Sequence, residues 1–214
     1  VNTTNSATNF PKDKWNWINW STLYNTFVSA GYQVNACIQL SAFGDGSWVD
    51  PAADAYAYGY AFARAFGPTY GSGVVTSVQI GNEPTNLSDN LYITVFENMA
   101  EGIRAGDSAL KIVTCNTQNS PSGTYHKSLS LFAGLTDLVD AFAIHTYPMV
   151  TGWPTYQRSY PEDPDLQDYL TAVASESAWR DANAPDSEVC ITEFGYDSSS
   201  TSWSGNVTRN QHAQ

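Results

Sequence analysis

Val74-Val75-Thr76-Ser77-Val78-Gln79-Ile80-Gly81-Asn82-Glu83-Pro84 is an apolar run that ends on a glycine, an amide, a carboxylate and a proline. Far downstream, Val189-Cys190-Ile191-Thr192-Glu193-Phe194-Gly195 repeats the plan. Each reads as a short strand that delivers a glutamate at its C-terminal end. Neither strand alternates apolar with polar residues, as a half-exposed strand would. Near-continuous apolar runs belong to parallel sheets covered on both faces.

Working outward from these two strands, the chain alternates helices and strands within one domain spanning residues 1–214. Residues 1–19 read as a polar loop carrying Trp15 and Trp17. Residues 20–30 read as a helix with Leu23, Phe27 and Val28 on one face, stopped by Gly31. Val34–Leu40 is a strand. Asp50-Pro51 caps and opens a helix that runs to Phe66 and ends at Gly67-Pro68. After Ser88-Asp89, the residues Leu91, Tyr92, Val95, Phe96, Met99 and Ile103 recur at helical spacing up to Gly106. Lys111–Cys115 is the next strand, 126–133 a short helix, and Val139–His145 a strand. Asp163-Pro164 opens a last helix with Leu166, Tyr169, Leu170 and Val173 inward, before the strand at Val189–Thr192.

Strand–helix–strand repeats of about 30–45 residues mean right-handed βαβ units, which both a barrel and a doubly wound open sheet satisfy. A dinucleotide-binding open sheet would show a glycine fingerprint after its first strand, and none occurs. Polar, reactive residues follow several different strands instead: Asn82 and Glu83, Asn116, His145 and Tyr147, and Glu193. That distribution is the habit of the (β/α)8 barrel. The fold class expected is therefore α/β, a (β/α)8 TIM barrel that is incomplete: five strands are legible where a closed barrel has eight, about strands three to seven.

Composition narrows the function. The net charge is −12, and only 9 of 214 residues are Lys or Arg. This argues against nucleic acid and anionic membranes as partners. No apolar run approaches the ~18–20 residues of a membrane span, and residues 1–10 carry no signal-peptide pattern. The acidic surface and the sequons opening at Asn2, Asn19, Asn86 and Asn206 fit an extracellular or periplasmic setting. Cys37, Cys115 and Cys190 match no zinc spacing and read as small core hydrophobes. His126, His145 and His212 are scattered, so no metal and no cofactor is expected. There is no Gly-x-Ser-x-Gly elbow of an α/β hydrolase. Two strand-end glutamates, in contrast, are sufficient equipment for cleaving a glycosidic bond without metal, cofactor or nucleophilic Ser or Cys.

Gly81-Asn82-Glu83-Pro84, His145-x-Tyr147-Pro148 and Thr192-Glu193-Phe194-Gly195, each at a strand end, together resemble clan A of the glycoside hydrolases. Those are retaining enzymes on (β/α)8 barrels. The stretch Phe62-Ala63-Arg64-Ala65-Phe66-Gly67-Pro68 before the Asn-Glu-Pro strand looks like the agarases and porphyranases of family 86, or like family 39. The resemblance covers about residues 20–214. It implies that Glu83 is the acid/base, Glu193 the nucleophile, and that Asn82 hydrogen-bonds the sugar 2-hydroxyl. The family's first two strands and its eighth, which supply an arginine and an aromatic platform, have no counterpart.

The expected partner is a polysaccharide or oligosaccharide. The acid must carry a proton at working pH while the nucleophile stays ionised. His145 and Tyr147, two apart, face one side of a strand. Tyr147 is placed to hydrogen-bond Glu193, and His145 to line the sugar site. Asn116 and Asn119 read first as polar loop residues and second as substrate contacts. Trp48, Trp153 and Tyr156 serve either as sugar platforms or as loop packing. A carbohydrate-binding barrel without turnover is the alternative function, and the presence of both glutamates weighs against it.

Overall fold

A computed structural model describes residues 19–40, 48–119, 125–147 and 169–195. The first helix, α1 (Trp20–Ser29), is capped by Asn19, whose Oδ1 accepts from the Thr22 N–H at 3.0 Å. It leads through Gly31 to β1 (Asn35–Ile38). Asp50 caps α2 (Pro51–Phe66) in the same way, and Pro51 supplies a first turn that needs no N–H. There follow β2 (Ser77–Ile80), α3 (Asp89–Gly106), capped by Ser88, and β3 (Lys111–Gln118). Next come the two-residue β4 (Lys127–Ser128), β5 (Ala141–Thr146), α4 (Tyr169–Asn183) and β6 (Glu188–Phe194).

Every strand pairs in parallel, in the order β1-β2-β3-β5-β6, with β4 joined to the end of β3. The order never reverses. A doubly wound sheet reverses at its switch point, so the open-sheet alternative falls. The sheet is a curled part of a (β/α)8 barrel, an incomplete TIM barrel with helices on its outer face.

The two faces are built differently. On the outer face Phe62, Phe66, Tyr92, Phe96, Met99 and Ile103 cover Ile80, Ile112 and Phe142. Rings continue edge to face from Phe96 through Phe132 and Phe142 to Trp179. The concave inner face is lined by small residues, Val113, Ala141, Ala143 and Cys190. Small side chains are what a narrow barrel interior admits.

Helices α2 and α3 touch backbone to backbone. A Cβ at Gly59 would overlap the Met99 carbonyl, and one at Gly102 would overlap the Tyr56 carbonyl. Only glycine fits at either position.

Four sequence expectations need correction. The apolar face of α1 is not buried: Leu23, Phe27 and Val28 are 39, 49 and 38% exposed. The helix meets the core through Trp20 and Tyr24 instead, the Tyr24 ring lying edge-on to Phe66 at 5.4 Å. Residues 126–133 are not one short helix but β4 followed by a 3-10 turn at Leu129–Phe132. Cover on both faces holds for β3 and β5 but not for the end strands: β1 alternates and β6 buries none of its residues. For the same reason Cys37, on β1, is exposed, while Cys115 is buried and Cys190 half-buried. The proposed helix start at 163–168, with Leu166, lies outside the described residues. No helix among the described residues is long and apolar enough to cross a membrane.

Candidate active site

The site grows from the C-terminal ends of four strands. At the end of β2, Gly81 adopts φ +85°, and its backbone runs against the Tyr92 ring and Cys115. A left-handed residue here breaks the strand's alternation and lets the next residues turn over the sheet. Tyr92, fully buried on α3, fixes that strand end. Its hydroxyl donates to the Ile80 carbonyl at 2.8 Å and accepts from the Cys115 N–H at 3.1 Å. Burial pushes its phenol well above the usual range, so it stays a neutral strut.

Two irregularities in the sheet aim the remaining side chains. Between Val113 and Asn116, β3 spends three residues where β5 spends two. Val113 faces the inner cluster and Cys115 the outer core, and the extra residue brings Asn116 inward. Between Ile191 and Glu193, β6 spends two residues where β5 spends one. Bulges re-aim side chains in just this way.

Asn116, 2% exposed, ties three segments together. Its N–H donates to the Asn82 carbonyl at 3.0 Å, its Oδ1 accepts from the His145 N–H at 2.8 Å, and its Nδ2 donates to the Tyr125 carbonyl at 3.3 Å.

His145 stands at the centre. Its Nδ1 lies 3.0 Å from Glu83 Oε1 and 3.6 Å from Glu193 Oε2. One atom each of Glu83, His145 and Glu193 lie within 4.8 Å of one another. The Tyr147 hydroxyl donates to Glu193 Oε2 at 2.8 Å. In a flat sheet, β2 and β6 would stand about 14 Å apart, three strand spacings. Curling of the sheet and the reach of two glutamate side chains close that gap.

With carboxylate oxygens on its Nδ1 side, Nδ1 is the ring nitrogen placed to donate. Nε2 is buried and has no partner among the described residues. The Glu83–His145–Glu193 triangle has the spacing to hold a divalent cation. Among the described residues Nε2 lacks the second hydrogen bond that a ligating histidine usually makes.

The structure thus brings together Glu83, Glu193, His145, Tyr147 and Asn116, with Asn82 half-buried beside them. Trp48 is 8% exposed and counts among the buried apolar core residues. Asn119 donates to Ser175 Oγ on α4 at 3.1 Å, a structural tie. Trp153 and Tyr156 lie outside the described residues. Sequence reasoning gave no role to Tyr125, whose carbonyl accepts from Asn116 Nδ2 at 3.3 Å.

No protein-family model matches the chain, and no curated protein does. Solved structures do. A glucosidase from Croceicoccus marinus superposes with a TM-score of 0.60 at 15% identity, covering 91% of this chain and 40% of its own. CelM2, a bifunctional glucanase-xylanase from a metagenome library, gives 0.55 at 13%, covering 82% and 55%. Cel44A, a family 44 endoglucanase from Clostridium thermocellum, gives 0.54 at 12%, covering 87% and 56%. The chain therefore shares the fold of glycoside hydrolases and spans about half their length or less.

Proposed function

We propose that this chain carries the catalytic centre of a retaining glycoside hydrolase of the clan A type, acting on a polysaccharide or oligosaccharide. The observation that carries the reading is the approach of Glu83 and Glu193 to within 4.8 Å from two strand ends of one half-barrel. Retaining sites hold their carboxyls about 5–5.5 Å apart, while inverting sites leave about 6.5–9.5 Å for a water.

In the first step, Glu193 attacks the anomeric carbon as the glycosidic C–O bond breaks, and Glu83 gives its proton to the leaving oxygen. In the second, Glu83 takes a proton from water, whose oxygen displaces Glu193 from the sugar. Tyr147 stabilises negative charge on Glu193 before attack and after its release. His145, donating from Nδ1, holds Glu83 in line. Asn116 fixes the backbone of His145, and Asn82 is left to meet the sugar. The structural neighbours are named as a glucosidase, a glucanase-xylanase and an endoglucanase, which makes glucans and xylans the first substrates to test. The setting proposed with it is extracellular or periplasmic, because a polysaccharide is too large to enter a cell.

The test separates the two glutamates. Glu193→Ala should abolish turnover of every substrate. Glu83→Ala should spare activated aryl glycosides and cripple natural ones. Azide should rescue Glu83→Ala with retained configuration and Glu193→Ala with inverted configuration. Reversed outcomes would swap the roles, and two variants as active as the wild type would place the chemistry elsewhere.

A further inference from the structure

We propose that Glu83, His145 and Glu193 also form an inhibitory site for one divalent cation of the zinc class, which occupies the cleft in competition with sugar. The ion takes no part in the chemistry. That it blocks turnover rests on the glycosidase reading, whereas its binding rests on the geometry alone.

The three donor atoms stand near ligand spacing. Oxygen and nitrogen ligands at about 2.0–2.2 Å from a tetrahedral zinc are about 3.3–3.6 Å from one another. His145 Nδ1 lies 3.0 Å from Glu83 Oε1 and 3.6 Å from Glu193 Oε2, and the whole set fits within 4.8 Å. Only the side between the two carboxylates has to close, by about 1 Å.

Burial divides the work among the ligands. The imidazole is 2% exposed, and its backbone N–H is held by Asn116 Oδ1, so its nitrogen is a fixed anchor. The carboxylates are 30 and 38% exposed, so an ion from solvent reaches both and both can turn to meet it. Among the described residues neither carboxylate is paired with Lys or Arg, so no cationic side chain has to be displaced. Two carboxylates balance the charge of a dication. The nitrogen selects its class: imidazole suits zinc and its transition-series neighbours, while magnesium and calcium prefer oxygen.

The same geometry limits the affinity. To ligate, Nδ1 must offer its lone pair, so the ring proton sits on Nε2, which is buried with no partner among the described residues. Loss of that second hydrogen bond weakens metal binding about 10–100-fold. The Tyr147 hydroxyl already donates to Glu193 Oε2 and competes for that oxygen. The site therefore suits a reversible inhibitor and not a resident ion.

The experiment titrates zinc chloride into the untagged 214-residue chain by calorimetry, beside Glu83→Gln, His145→Gln, Glu193→Gln and the exposed Glu101→Gln as a charge control. Wild type and control should bind one zinc with a Kd on the order of micromolar, and each site variant at least about tenfold more weakly. Should buried His145→Gln lose its fold by circular dichroism, the two glutamate variants decide the matter. Magnesium in about hundredfold excess should not displace the zinc. Equal binding in every chain, no binding up to about 1 mM, or displacement by magnesium overturns the site. Where Glu193→Ala abolishes turnover, zinc should raise KM and spare kcat, with an inhibition constant within about threefold of Kd. No inhibition, or inhibition indifferent to sugar concentration, overturns the competition. If zinc binds as stated and the chain has no glycosidase activity, the glycosidase reading fails and the cation site stands.

Discussion

Glu176 on α4 is fully buried, and its protonation sets a measurable pH dependence of stability. Its Oε1 lies 2.5 Å from Thr117 Oγ1, and that hydroxyl also lies 3.0 Å from the Ala143 carbonyl. Thr117 has one hydroxyl proton for these two acceptors, and Glu176 Oε2 is buried with no partner among the described residues, a setting that favours the neutral acid. Burial pushes the carboxyl up to about 8, against the smaller opposing effect of the Thr117 hydrogen bond. An unfolded glutamate titrates near 4.3. Between those values the native chain binds one more proton than the unfolded chain, so this group's contribution is full below about 4.3 and is lost as pH rises toward 8. Each pH unit in that window costs about 1.4 kcal/mol. From pH 5.5 to 7.5 the loss is about 3 kcal/mol, or about 1–2 M in urea midpoint at an m-value of about 2 kcal/mol/M. Glu176→Gln keeps a hydrogen-bond donor and has nothing to titrate. Urea midpoints of wild type and Glu176→Gln, measured in parallel at half-unit pH steps, cancel every other group. The difference should grow in favour of the variant as pH rises. A flat difference, or one of opposite sign, would refute the neutral-acid assignment.

Three further outcomes follow from the described contacts. Gly102→Ala should destabilise the chain by about 3 kcal/mol in chemical denaturation, because its new methyl meets the Tyr56 carbonyl; a change under about 0.5 kcal/mol would mean the two helices are free to move apart. Asp107 accepts from the N–H groups of Thr69, Tyr70 and Ala109. Burial alone would raise its carboxyl, but these bonds outweigh it and hold the group below its usual range. Its contribution is thus present above about pH 3.9 and lost as pH falls through the lowered value, so Asp107→Asn should cost about 2 kcal/mol at pH 7 and little at pH 2, read from denaturation midpoints. Tyr147→Phe removes the 2.8 Å bond to Glu193 and should lower kcat about 10–100-fold with KM nearly unchanged in a glycosidase assay; an unchanged kcat would detach Tyr147 from the chemistry.

Much of this was legible in the chain. Glu83 and Glu193 stood out because each closes an apolar run, and a strand end is where a barrel places its reactive groups. His145 and Tyr147 could be paired from their spacing alone. The caps Asp50 and Ser88 announced two helices, since capping is a local interaction. What escaped was set by distant contacts. Nothing local says that Trp48 turns into the core, or that α1 leaves Leu23 and Phe27 uncovered. The acid at Glu176 sits at a helix position whose neighbours, Ser175 and Ser177, give no hint of burial. The reading of 126–133 as helix failed for the same reason, since the Asn116 bond to the Tyr125 carbonyl and the pairing of Lys127 with Thr117 hold that segment against β3.

The two bulges divide each of their strands into separately adjustable parts. Alternation along a strand has a period of two, so one extra residue acts as a phase shift. Beneath it, the inner face stays small and apolar around Val113, Ala141 and Cys190, and above it the same face turns polar at Asn116 and Glu193. The floor and the rim are thereby out of step, and a change in one does not propagate along the pleat into the other. Such a scaffold can retool the chemistry at its mouth while its foundations are inherited intact. It also follows that removing Thr192, a single residue, would rotate Glu193 out of the cleft more thoroughly than most substitutions could disable it.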